Sequence, residues 1–359
     1  MTKKKPSAAI VFNHVGEDEY ERLRHVDPRS LDFKPEYDIH VATIMEEYEA
    51  IATALKKEGF RPHLLNIADD LSRLITLLRS HPPDVVFNLV EYFKEDPRLE
   101  AMVAGLYDLH GVPYTGAPPF SLALCQRKGF TKQILLANGV RTPRFHLLSK
   151  PKIRGRHGLH YPLIVKPARE DASTGIEKTS VVHDQTQLLE RIDYAFKNFS
   201  HPILVEEFIE GRELHVAVLG NDPPRVLPIL EYDFSSLPPE YPRIISYTAK
   251  WEPLKEEFHR VHTICPARLP KRVEAKVREK ALEAYRLTNC RDYARIDMRL
   301  SVEGHVYVLE VNPNPDLTEG VSFMESAEKA GLTFPKTLKM IVEMAMSRTP
   351  KPVIVTNAG

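Results

Sequence analysis

A mixed α/β chain that passes from a parallel-sheet unit into α+β text is the fold class the sequence predicts, and three observations predict it. Short apolar runs alternate with amphipathic segments over the first third of the chain. Beyond about Ser121 the text becomes dense in strand-like runs around a few helices. Near the C-terminus two alternating runs flank a glycine-bearing turn. Such a succession is the pattern of a parallel sheet followed by antiparallel units.

The first third reads AAIVF, IMEEYEAIATALKKEGF, RPHLLNI, DLSRLITLLRSH and PDVVFNLV, a βαβαβ rhythm. Ile44, Tyr48, Ile51 and Leu55 fall at helical spacing, and Gly59 sits where a helix stops. Continuous apolar strands predict a parallel sheet covered on both faces. From Gly16 to Tyr37 the pattern breaks into charged and aromatic residues with two prolines, which predicts a long loop that can act as a lid. A helix is expected from Ser121 to Asn138, ended by Gly139 and a TP turn. YPLIVKP, SVV and HPILVEEF read as strands around a helix at Gln185 to Asn198, and ELHVAVLG and RVLPILEYDF continue them. Ser235 to Arg268, with five prolines, reads as a long surface excursion, and Lys271 to Leu287 as a helix. The end beyond Ser347 reads as frayed.

At about 150 residues per domain, 359 residues allow two to three domains and a sizeable core. Lys plus Arg and Asp plus Glu both number 49, so no basic excess drives binding to phosphate backbones, and a nucleic-acid partner is not expected. The basic head MTKKK precedes an apolar run too short for a secretory signal, and no run approaches the roughly 20 residues of a spanning helix, so no membrane is expected. Cys125, Cys265 and Cys290 are scattered, which suits a reducing, cytoplasmic compartment. His259, His262 and Cys265 lack the partner pair that a zinc site needs.

The most informative segment is DYARIDMRLSVEGHVYVLEVN. With Glu303-Gly304 as the loop, Asp297 faces Glu310 and Arg295 faces Asn312, while Ile296, Met298 and Leu300 face Val311, Leu309 and Tyr307 on the apolar side. Opposed carboxylates about 4.5–5.5 Å apart at Cβ repel unless a cation lies between them. Two carboxylates and an amide suit magnesium better than zinc. The alternative is that Arg295 and Arg299 neutralise both acids. Lys166 ends an apolar strand before REDASTGI, a loop able to close over phosphate oxygens or simply to turn. ILVEEFIEGREL joins two strands through a linker whose backbone groups can meet a purine edge.

Together VFNLVE, HGVPYTGAPPFSLAL, RKGFTKQILLANGVRTP, YPLIVKPAREDASTGI, ILVEEFIEGREL, ISYTAKWE, TICPARL and YARIDMRLSVEGHVYVLEVNPNPDLT resemble the ATP-grasp superfamily, and within it the D-alanine-D-alanine ligase-like carboxylate-amine ligases. The resemblance runs from about Asp84 to Arg348. It implies an ATP-grasp fold with a Rossmann-like N-terminal domain over 1–120, a central subdomain over 121–205, a catalytic subdomain over 206–348 and a tail over 349–359. It implies that Lys128 and Lys166 touch ATP phosphates beneath a loop holding Ser173, Thr174 and Gly175. Glu206, Phe208 and Ile209 would line the adenine slot, with Glu213 on the ribose. Lys250 would be a further phosphate lysine, Arg295 would steady an acyl-phosphate, and Asp297, Glu310 and Asn312 would hold two magnesium ions, replaceable by manganese. The implied reaction is ATP-dependent amide formation between two small molecules through an acyl-phosphate. A true D-alanine-D-alanine ligase and a silent ATP-binding scaffold stand as alternatives, and a homodimer stays open.

Three departures fall in the implied substrate sites. The opening FNHVGEDEYERL lacks the family's glycine-rich stretch, leaving Glu17 or Glu19 to replace its glutamate. Glu91 replaces a histidine, and Pro315-Asp316-Leu317 replaces Pro-Gly-Met. Glu91 and Asp316 add negative charge suited to a substrate presenting an ammonium or other cation.

Overall fold

The structure is a computed structural model that describes residues 5–170 and 173–348. The expected frayed end beyond Ser347 therefore lies outside the described residues, apart from Arg348, which is held in place.

Strand Ser7–Phe12 is the centre of a parallel sheet, flanked by Arg61–Asn66 and Val85–Leu89. Its continuous apolar run is explained by burial on both sides: Ala8 and Ile10 pack with helix Ile44–Lys57, and Ala9 and Val11 with Leu74, Leu78 and Tyr107. Helix Ile44–Lys57 starts at a capping box in which Thr43 and Glu46 satisfy each other's backbone N–H groups. The C-terminal helix Phe334–Ser347 returns to cover this sheet through Leu338, Ile341 and Val342. Arg348 binds the Asp292 carboxylate and, at 2.7 Å, the Tyr114 carbonyl, fastening the returning helix.

A four-stranded antiparallel sheet follows in the order Phe145–Leu148, Ile203–Glu207, Leu163–Pro167, Val181–Val182. Helix Gln185–Asn198 covers one face. The larger sheet runs His262–Ile264, Leu230–Asp233, Gly211–Leu219, Tyr293–Ser301, Val306–Asn312, with Arg225–Val226 paired to Gly211–Leu219. Helix Lys271–Leu287 covers its apolar face, and the opposite face carries charge.

Two expected elements differ. The helix expected over Ser121–Asn138 is two helices, Pro119–Cys125 and Lys128–Ala137. Arg127 leaves helical geometry at the joint, and the break lets Lys128, 6% exposed, enter the core beside Glu310. Ser235 to Arg268 is not a surface excursion. It contains helices Tyr247–Trp251 and Glu256–Arg260 and buries Phe234, Leu237, Ile244 and Val261. Its prolines shape a folded cover over the charged face.

The hairpin reaches the expected pairing by a different route. Its loop has three residues, Val302–Glu303–Gly304, with Gly304 at φ 79°, so Leu300 pairs with Val306 and Met298 with Val308. That offset alone would set Asp297 against Leu309. A β-bulge between Asp297 and Met298 restores one residue, so Asp297 pairs with Glu310 and Arg295 with Asn312. Val306, Val308 and Val311 are all buried, and the three-residue step between the last two breaks strict alternation. The bulge keeps all three valines in the core and turns Leu309 to the functional side.

Candidate active site

The charged face begins with that hairpin. Asp297 lies between His215 on one neighbouring strand and Glu310 on the other. Arg295 grips Asp297 through two hydrogen bonds of 2.7 and 2.9 Å, and the Asn312 amide donates to Asp297 Oδ2 at 2.9 Å. Burial lifts the Asp297 carboxyl to about 6 against the pull of Arg295, and the Glu310 charge adds to the lift. Glu310 behaves oppositely. Burial would raise it, but Lys128, Lys166 and Arg295 hold it well below the usual carboxylate range, with Lys128 Nζ at 3.2 Å.

Arg295 therefore does neutralise Asp297, whereas Arg299 turns to Glu213 at 2.6 Å and stacks over Phe208. Arg299 also donates to the Ile209 carbonyl at 2.8 Å, so that carbonyl is already engaged. Beneath the slot, Glu206 is 1% exposed and sits 2.7 Å from Lys166 Nζ and 2.8 Å from Lys132 Nζ. Burial opposes its ionisation, yet the two ammonium groups hold the carboxyl below the ordinary range. Lys132 was not expected here. Its signal was available, since Lys128 and Lys132 are one helical turn apart in RKGFTK and so share a face.

Two small cavities join these groups. One of about 60 Å³ is lined by Glu206, Phe208, Ile209, Glu213 and Leu309. The next, about 80 Å³, is lined by Lys128, Lys166, Ser173, Thr174, Lys250, Arg295, Asp297 and Glu310, and shares Lys166, Glu213 and Leu309 with the first. Thus most of the expected residues converge on one chamber. Asn312 reaches it through Asp297, and Gly175 shapes its roof. Gly175 has φ 73°, and a Cβ there would lie 2.8 Å from Pro167 Cγ, so the loop folds this tightly only with glycine. Asp171 and Ala172 of the same loop lie outside the described residues.

Lys250, from helix Tyr247–Trp251, closes the chamber from above. Burial and the Arg295 charge pull its ammonium below the usual lysine range, with Asp316, Asp297 and Glu310 opposing. His215 is pushed well below its ordinary value by burial, Arg295 and Lys250, and is neutral at pH 7. Among the described residues no three carboxylate, histidine or cysteine side chains form a metal cluster. The donors present are two opposed carboxylates and an amide, one of the carboxyls being lifted by burial and by its neighbour's charge. This oxygen-rich set fits magnesium held jointly with phosphate oxygens.

A larger cavity of about 440 Å³ opens on the far side of Tyr247 and Trp251, against the C-terminal ends of the parallel strands. Glu17, Asp18, Glu91 and Asp316 line it; the Glu19 side chain lies outside the described residues. His259 and His262 serve neither space. His259 contacts the Pro253 carbonyl at 2.8 Å, and His262 contacts the Tyr37 hydroxyl at 2.7 Å. All three cysteines are free. No helix among the described residues is long and apolar enough to cross a membrane.

A family model described as D-ala D-ala ligase C-terminus matches residues 137–343. An uncharacterised protein of Sinorhizobium fredii is 32% identical over 310 residues, covering 84% of this chain and 87% of its own. A D-alanine–D-alanine ligase of Desulforudis audaxviator is 32% identical over 304 residues, covering 83% of this chain and 92% of its own. The crystal structure of the D-alanine–D-alanine ligase of Bacillus anthracis complexed with ATP superposes with a TM-score of 0.70 at 21% identity, over 96% of this chain and 98% of that one.

Fold and family match together define an enzyme of the ATP-grasp class of carbon–nitrogen ligases. Within that class, the chain belongs to the D-alanine–D-alanine ligase family.

Proposed function

We propose that the protein joins a carboxylate to an amine at the expense of ATP, through an acyl-phosphate. The observation that carries this reading is the chamber in which Lys128, Lys166, Lys250 and Arg295 surround the Asp297–Glu310 pair. Four cations gathered on the Asp297–Glu310 pair, with Glu170 and Glu213 also in the wall, form a site for a polyphosphate and its counter-ion, not an ordinary solvated sheet face. In this reading Lys128 and Lys166 hold phosphate oxygens and the Ser173–Gly175 loop covers them. Phe208, Ile209 and Leu309 line the base slot, with Glu213 at the ribose. Asp297, Glu310 and Asn312 hold magnesium, as two ions that manganese can replace, and the metal when bound offsets phosphate charge.

The substrate carboxylate attacks the γ-phosphorus, the bond to the ADP oxygen breaks, and an acyl-phosphate forms. The amine then attacks the acyl carbon, phosphate leaves, and the surplus proton of the amine is lost. No covalent enzyme intermediate is needed. Arg295 and Lys250 bear on the transferring oxygens, and a phosphate nearby draws the depressed Lys250 ammonium back toward the usual lysine range. The loop and the cover from Ser235 to Arg268 exclude water that would hydrolyse the intermediate.

Glu310→Gln tests the reading. It removes one acidic donor and the partner of Lys128 at nearly constant size, so ADP release should fall by at least about a hundredfold with the fold retained. Wild-type turnover in that variant would defeat the assignment. The altered substrate walls argue against D-alanine as the substrate, and ADP release driven by D-alanine alone would restore that alternative. Nucleotide binding with no acyl group trapped by hydroxylamine would favour a silent scaffold.

A further inference from the structure

The 440 Å³ cavity beyond the phosphate chamber has a chemistry of its own. Six carboxyl side chains line it: Glu17, Asp18, Glu47, Glu91, Glu100 and Asp316. Among the described residues no lysine or arginine does. Tyr20, Tyr48, Tyr92 and Trp251 supply aromatic walls, a setting that favours cations. Some of these acids have structural duties. Asp18 accepts from the Tyr20 and Ile44 backbone N–H groups, and Glu100 accepts from Gln126 and Asn314. The charge they carry remains in the cavity wall.

A second observation is independent of charge. Asn88, at the end of its strand, is 2% exposed and lines the same cavity. Its Oδ1 accepts from the Tyr107 hydroxyl at 3.1 Å, but its Nδ2 has no hydrogen-bond partner. A buried amide donor left unpaired is costly, and a ligand oxygen would satisfy it. Asp316 connects the two spaces, since its charge acts on Glu47 within the cavity and on Lys250 in the chamber.

We infer that this cavity binds the ligase's amino-acid substrate, and that this substrate carries a cationic side chain in addition to its α-ammonium group. A neutral amino acid, its ammonium offset by its own carboxylate, brings no net charge to this acidic wall, whereas one with a cationic side chain brings a net positive charge, with a carboxyl oxygen for Asn88. The inference rests on the ligase reading only for the fate of the bound molecule.

Calorimetric titration of the ADP-loaded protein with lysine, arginine and norleucine, in both enantiomeric forms, tests it. Norleucine keeps the length of lysine without its charge. Lysine or arginine should bind at least about tenfold more tightly than norleucine. In the Glu91→Gln/Asp316→Asn double variant, checked for an unchanged melting midpoint, that preference should shrink severalfold. Equal binding of norleucine, no binding of any of the three, or an unchanged preference in the variant would overturn the inference. Turnover with neutral amino acids and no preference for basic ones would also overturn it while leaving the ligase reading intact. Tight binding of lysine or arginine with no ADP release under any amino-acid pair would support the inference and defeat the ligase reading instead.

Discussion

Replacing Lys132 by methionine separates the slot's architecture from its chemistry. Lys132 is 1% exposed, and its ammonium lies 2.8 Å from Glu206, itself 1% exposed. At an effective dielectric constant of about 20, that separation corresponds to an attraction of roughly 6 kcal/mol. Against it stand the desolvation of Lys132, which already pulls its ammonium below the usual range, and repulsion from Lys166. Removing one partner from a buried pair typically costs about 3–5 kcal/mol, because the other charge stays buried with less compensation. At about 2.1 cal/mol/K of unfolding entropy per residue, this lowers the melting midpoint of the chain by roughly 4–7 °C. Adding Glu206→Gln removes the stranded charge, and the double variant should recover part of the loss. Lys166 provides the second readout. With Lys132 gone, Glu206 draws on Lys166 alone, leaving that ammonium less available to phosphate, so the KM for ATP should rise severalfold. A midpoint within about 1 °C of wild type would refute the electrostatic account of the slot.

Two further outcomes are expected. Burial, then the charges of Asp316, Asp18 and Glu91, lift the Glu47 carboxyl to about 7, with the Thr318 hydroxyl opposing. The folded state thus holds this proton more tightly than the unfolded chain, so stability falls as pH rises from about 4.5 to 7, and the penalty is complete above that window. Glu47→Gln should therefore stabilise the protein by roughly 1–3 kcal/mol more at pH 8 than at pH 5, after allowance for solvent screening; melts giving equal gains at both would contradict this. Gly175→Ala places a methyl 2.8 Å from Pro167 Cγ and 3.1 Å from Phe199 Cζ at φ 73°. The loop should lose about 1–2 kcal/mol, read as a severalfold rise in the KM for ATP, and an unaltered KM would show that this loop does not cover the phosphates.

The parts of the molecule legible in its sequence are those whose chemistry repeats with the period of the backbone. Helices Gln185–Asn198 and Lys271–Leu287 and the three strands of the parallel sheet follow directly from spacing, because a buried stripe or run leaves its period in the text. The pairing of Asp297 with Glu310 was legible for a related reason. Burial of an apolar face decides which residues share a side, whatever loop joins the strands. The two-residue loop is one residue shorter than the observed one and the bulge at Leu309 leaves no mark in the spacing, and these two differences cancel at the functional pairs. They fail to cancel further out, where Met298 meets Val308 rather than Leu309.

What the sequence hid is association between segments remote in the chain. Lys132 and Glu206 stand 74 positions apart, and although Lys132 shares a helix face with Lys128, nothing local says what that face meets until the antiparallel partner strand places Glu206 beneath it. Ser235 to Arg268 misled through its prolines, which mark irregular backbone without saying on which side of the surface it lies. The acidic cavity is the extreme case, since its wall is drawn from residues 13–20, 42–51, 88–92, 247–251 and 314–318, with Glu100 and Tyr293 besides. No single stretch among these is more acidic than a solvated loop would be. The fold brings those acids together at the ends of the parallel strands, where Tyr247 and Trp251 of the cover add to the wall. Burial and mutual repulsion, which together raise the Glu47 carboxyl, then become properties of the fold, and a cationic substrate relieves the repulsion on binding.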